Sequence, residues 1–162
     1  MDDITNALFS ASRQGNVAVL KEIFGIINNV DVIDERGFTP LIIAAYNNQP
    51  GAVQALLDAG AAIDATDASG NTALMGACFK GYAEIAQLLI SNGANVNAVH
   101  GNGGTALMFT VMFGRNDMIP LLVDNGADTT IKDNRGLAAL DIARQQNNSV
   151  AADMLEEYVA GS

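Results

Sequence analysis

His100 and Cys78 are the side chains that could carry proton transfer or nucleophilic attack here, and the chain has one of each type. A histidine titrates near neutral pH and could act as a general base. A cysteine attacks only as a thiolate, which needs a base or a positive field beside it. No histidine lies near Cys78 in sequence, and His100 sits in the loop "HGNGG". The expected reading is a tolerated loop substitution for His100 and a small buried hydrophobe for Cys78. The run "GNGG" from Gly101 has no Lys-Ser/Thr after it and no strand before it, so it is not a phosphate cradle. No serine stands in a nucleophile-elbow context. Asp124 and Asp128 flank Gly126 as one polar turn rather than a calcium loop. No catalytic residue, metal ligand or cofactor site is assigned.

Composition narrows the function classes further. With 162 residues and 49% hydrophobic content, the chain is long enough for one domain with an ample core. Its 18 acidic against 8 basic residues give a net charge of −10. That opposes nucleic-acid binding, which needs a basic face to displace counterions. The apolar runs are far shorter than the ~18 residues of a membrane-spanning helix. The start "MDDITNAL" is acidic where a secretory signal would be basic and then apolar. A lone cysteine excludes an internal disulfide framework and fits a reducing compartment. A soluble, cytoplasmic protein is expected.

Positions, more than motifs, carry the information. Thr39, Thr72 and Thr105 stand 33 residues apart. Gly37, Gly70, Gly103 and Gly136 keep that step, as do Leu41, Leu74, Leu107 and Leu140. Gly60, Gly93 and Gly126 follow it too, while Asp34, Asp67 and Asp133 share a column that His100 breaks. Extended backwards, the register places Leu8 on Leu41 and Gly15 on Asn48, and Cys78 falls in the column of Ala45. The chain thus reads as a single domain, 1–162, of five units: 1–33 as an N-terminal cap, 34–66, 67–99, 100–132, and 133–162 as a C-terminal cap.

Each unit has the signals of two helices. "DERGFTP" opens with turn chemistry, and Gly37 can adopt a positive φ. Thr39 suits a helix N-cap and Pro40 the first helical position. Leu41, Ala44 and Ala45 form a small apolar face that lets a neighbouring helix approach closely. Pro50 starts a second helix whose Val53, Leu56 and Leu57 recur at helical spacing, and Gly60 ends it. One such unit cannot bury its apolar face alone, so neighbours must stack. The end units depart from the pattern, with Ile27 in the Gly60 column and Ala138 in the Thr39 column.

"DERGFTPLIIAA", "DASGNTALMGAC" and "HGNGGTALMFTV", followed by "ALLDAGAAIDA", "LLISNGANVNA" and "LLVDNGADTTI", strongly resemble ankyrin repeats. The resemblance covers nearly the whole chain and implies an all-α solenoid of stacked helix-turn-helix units with projecting hairpin loops. The histidine common in that family three residues after the threonine is replaced by Ile42, Met75, Met108 and Asp141. Its polar network between repeats is therefore expected to give way to apolar packing, for which methionine is adaptable. Asn97, in "GANVNA", resembles ankyrin asparagines that are hydroxylated in some animal proteins; otherwise it reads as a turn residue.

The resemblance implies a non-enzymatic protein-binding module that uses its concave surface of hairpin tips and first helices. The three central repeats place nine residues there. Seven are assigned as partner-binding: Phe38, Tyr46, Asn47, Phe79, Lys80, Met112 and Phe113. Asn71 and Gly104 complete the set, and Phe109 extends it along its helix. Four of the nine are aromatic in a chain that is 6% aromatic, which favours a recognition surface over the alternative that these rings pack between adjacent first helices. The rings are expected roughly 10 Å apart, as anchors on successive packed helices, with little role in folding. The acidic chain as a whole suggests a partner with a basic surface. A monomer is expected, without cofactor, metal, nucleic acid or membrane. The alternative is a small-molecule-binding or regulatory subunit associated with an enzyme, for which no residue constellation is evident.

Overall fold

The computed structural model describes residues 1–161. They form α1 (Asp3–Gln14), α2 (Val17–Phe24), α3 (Pro40–Tyr46), α4 (Pro50–Asp58), α5 (Ala73–Lys80), α6 (Ala83–Ser91) and α7 (Ala106–Met112). A 3-10 turn at Asn116–Met118 then leads into α8 (Ile119–Asp124), and α9 (Ala139–Gln145) and α10 (Ser149–Ala160) complete the chain. Consecutive helices pair, and the first helices of the pairs pack in the order α1–α3–α5–α7–α9. In the other layer α2 packs on α4, α4 on α6, and α8 on α10. The described residues contain no strand and no helix long and apolar enough to cross a membrane.

Capping chemistry sets where these helices begin. The hydroxyl of Thr39 accepts from the backbone N–H of Ile42, Thr72 from Met75 and Thr105 from Met108, at 3.2–3.4 Å. All three threonines are buried, so each contact satisfies donors that water cannot reach. The backbone N–H of Thr72 donates in turn to the Met75 sulfur at 3.5 Å. Methionine thus recovers part of the reciprocal cap as well as filling space. In the last repeat Ala138 has no hydroxyl, but Asp141 reaches back to its backbone N–H at 2.9 Å. Asp141 therefore supplies the reverse half of a capping box.

A further column lies in the turn between paired helices. Gly15, Asn48, Gly81, Gly114 and Asn147 all adopt φ between 56° and 76°. Left-handed backbone is open to glycine and, at small cost, to asparagine. The 33-residue step of this column passes into the end repeats, where other columns fail.

The core is a continuous apolar seam between the two layers. Leu8, Leu41, Leu74 and Leu107 are each 2% exposed or less, and Ala44, Ala45, Ala77 and Cys78 are fully buried. Repeats are also joined at their outer turns. Asp31 accepts from the N–H of Ala62, Asp64 from Asn95, and Asn97 from Asp128, each bond running to the next repeat. Asn97 adds a bond from its Nδ2 to the carbonyl of Gly126 at 3.0 Å, so it stitches two repeats through both ends of its amide.

Candidate functional site

Each hairpin is held by its first residue. Oδ1 of Asp34 accepts from the N–H groups of Arg36 and Phe38, that of Asp67 from Ser69 and Asn71, and that of Asp133 from Arg135 and Leu137. In the third hairpin Nδ1 of His100 takes over, accepting from Asn102 at 3.3 Å. His100 is therefore a structural replacement for the turn aspartate. Its ring lies so close over Gly104 that an added Cβ there would stand 2.7 Å from Nε2. Gly104, expected on the exposed surface, is accordingly buried. Neighbouring hairpins also bond directly, Gly101 N–H to the Ser69 carbonyl and Asn134 N–H to that of Asn102.

Between the hairpins and the first helices runs an open trough of ≈ 640 Å³. A second hollow of ≈ 490 Å³ continues it towards Asp133 and Arg135, with His100, Asn102 and Phe109 in both walls. The lining comes from α1, α3, α5, α7, their C-terminal turns and the hairpins; no second helix contributes. Of the expected residues, Phe38, Tyr46, Asn47, Phe79 and Phe113 line the main trough and Met112 the second hollow. Lys80 is beside them, its ammonium 4.8 Å from the centroid of the Tyr46 ring. Asn47 is exposed and spends its Nδ2 on the Ile43 carbonyl at 2.8 Å.

The rings are not separated anchors. Tyr46 stacks on Phe79 with centroids 6.0 Å apart, and Phe79 meets Phe113 edge-to-face at 4.5 Å. Phe113 continues to Phe109 at 6.4 Å, and Phe109 to His100 at 5.0 Å. The expected ~10 Å spacing is that of helix axes, whereas side chains on adjacent helices lean together. Gly76 helps, because a Cβ there would come within 3.3 Å of the Tyr46 ring. Phe79 is half-buried between its neighbours, while Tyr46 and Phe113 each remain 42% exposed. The ladder is thus both an interface between repeats and a trough wall, so Phe79 contributes to folding as well.

Two cations of the main trough were missed in sequence. Arg13 lines the trough, and its position falls 33 residues before Tyr46, a signal hidden by the degenerate first repeat. Arg36 lies over the Phe38 ring at 5.1 Å from hairpin to trough. Asn71 donates its Nδ2 to Asp67, leaving Oδ1 without a hydrogen-bond partner. Cys78 is fully buried beneath this wall, and burial pushes its thiol up to about 12. At neutral pH it is a protonated, inert side chain. The described residues contain no cluster of His, Cys, Asp and Glu suited to a metal.

Comparison with known proteins fits this geometry. The family model for ankyrin repeats (3 copies) matches residues 8–100, and that for ankyrin repeats (many copies) matches residues 89–143. The chain belongs to the ankyrin-repeat family. Among curated proteins it is similar to the human "Ankyrin repeat and SOCS box protein 3", 37% identical over 60 residues. That match covers 37% of this chain and 12% of the relative's length. Ankyrin repeats are generally protein–protein interaction modules, and the ankyrin surface built from hairpins and first helices is the one that carries the trough here.

Proposed function

We propose that this ankyrin-repeat chain is a non-enzymatic module that binds a partner protein in the concave trough. Phe38, Tyr46, Asn47, Phe79, Lys80, Met112 and Phe113 form its contact surface, with Arg13, Arg36 and Phe109 added to it. The observation that carries this reading is the ring ladder. Tyr46, Phe79, Phe113 and Phe109 make a continuous aromatic strip along an open trough. Large, partly exposed aromatic patches mark partner sites. The protein works as a cytoplasmic monomer on this reading, with no cofactor.

The test is a paired affinity capture from the native source, read by mass spectrometry. Wild type and a Phe79→Ala/Phe113→Ala variant are compared at equal folded concentration. A partner held by wild type and lost from the variant supports the proposal. Equal capture by both moves the binding site to another face.

A further inference from the structure

The net charge of −10 conceals a separation of charge between the two faces. On the second helices and the 3-10 turn stand Glu22, Asp58, Glu84, Asp117, Asp124 and the α10 carboxylates, all exposed. Lys21 is the one cation on those elements. The trough side gathers Arg13, Arg36, Lys80 and Arg135 instead.

Pairing sharpens the contrast. Among the described residues Arg135 bonds Asp133 and Arg144 bonds Glu156, whereas Arg13, Arg36 and Lys80 have no carboxylate partner. Two of these cations are already held in place, Arg36 over Phe38 and Lys80 over Tyr46. The trough's own carboxylates are engaged: Asp34, Asp67 and Asp133 each accept two backbone N–H groups within their hairpins. A ligand carboxylate therefore meets unpaired cations here, while a ligand cation meets carboxylates committed to turns.

Resting on the reading that the trough binds a partner protein, we propose that its occupant is a segment carrying Asp or Glu beside apolar side chains. The apolar groups lie across the ring ladder, and the carboxylates reach Arg13, Arg36 and Lys80. The surrounding acidic field disfavours non-specific binding of acidic chains, so recognition depends on the local cations and rings together.

The experiment pans a phage-displayed library of random 12-residue peptides against the full chain. Selected peptides are then synthesised and titrated against wild type, R13A/R36A/K80A and R13E/R36E/K80E. Thermal melts confirm that each variant is folded. Expected are peptides enriched in Asp/Glu and apolar residues, with affinity about tenfold lower in the alanine variant and falling with added salt. Replacing their carboxylates by Lys should restore binding to the glutamate variant. Selection of Lys/Arg-rich peptides, or affinity unchanged in the alanine variant, overturns the inference while leaving the trough as a binding site. Failure to select any peptide sensitive to Phe79→Ala overturns the reading beneath it as well.

Discussion

Replacing Phe79 by alanine separates a wall residue from a core residue. The ring is half-buried, with Tyr46 stacked at 6.0 Å and Phe113 edge-on at 4.5 Å. Full burial of a phenylalanine stabilises by ~1.5–3 kcal/mol, so half-burial contributes about 1 kcal/mol. Two ring contacts open to water add about 0.5 kcal/mol each, the low end for aromatic pairs. Because the site opens into the trough, truncation leaves no closed cavity, and the expected loss is about 2 kcal/mol. Leu74, five residues earlier on α5 and 2% exposed, gives the internal standard. Its truncation should cost ~2–5 kcal/mol, cavity included. Urea unfolding of Phe79→Ala, Tyr46→Ala and the double variant yields the coupling energy as well, expected near 0.5 kcal/mol. In the folded fraction, peptide or partner affinity should drop at least ~30-fold, matching ~2 kcal/mol for a central anchor. A stability loss above that of Leu74→Ala, with affinity unchanged, would refute the reasoning and return the ladder to the core.

Other changes test the framework. Leu107→Ala should cost ~2–5 kcal/mol by denaturant unfolding, while exposed Ser69→Ala stays within about 0.5 kcal/mol. Equal effects would break the assigned register. His100→Asp should raise stability by about 0.5–1 kcal/mol, since the aspartate would accept from Gly104 N–H as well as Asn102, as in the other three hairpins. A fall in stability would show that the His100 ring on Phe109 outweighs the turn bond. Cys78, buried and with its thiol raised to about 12, should react with a thiol reagent only as fast as the native state opens. Rapid labelling under native conditions would place it outside the core.

How legible each feature was in the sequence follows from its range. Helix starts at Pro40, Ala73 and Ala106 depend on the threonine before each, a contact three residues long, so the 33-residue period announces them. The substitution of Met75 for a polar group read only as packing, because its sulfur acceptor at 3.5 Å depends on a rotamer. Packing of rings between adjacent first helices was legible as the alternative to recognition. Their 4.5–6.4 Å spacing was not, because it arises from side-chain lean and the missing Cβ of Gly76 rather than from helix spacing. Arg13 was hidden where the first repeat loses its hairpin glycine, although the column it shares with Tyr46 and Phe79 persists. Net charge suggested a basic partner because a sum carries no position. The placement of Arg13, Arg36 and Lys80 on one face and of the α10 carboxylates on the other emerges only when the helices are stacked.

Site-specific photocrosslinking tests the central claim, that the partner lies in the concave trough, most directly. A photoreactive phenylalanine analogue replaces Phe113 on the trough wall in one variant. In another it replaces Val150 on α10, which is 57% exposed on the opposite layer. Both proteins are irradiated in extract from the native source and the adducts identified by mass spectrometry. Expected is a discrete crosslinked partner from position 113, lost when Phe79 is also alanine, and none from position 150. Crosslinking of the same partner from position 150 alone would contradict the account.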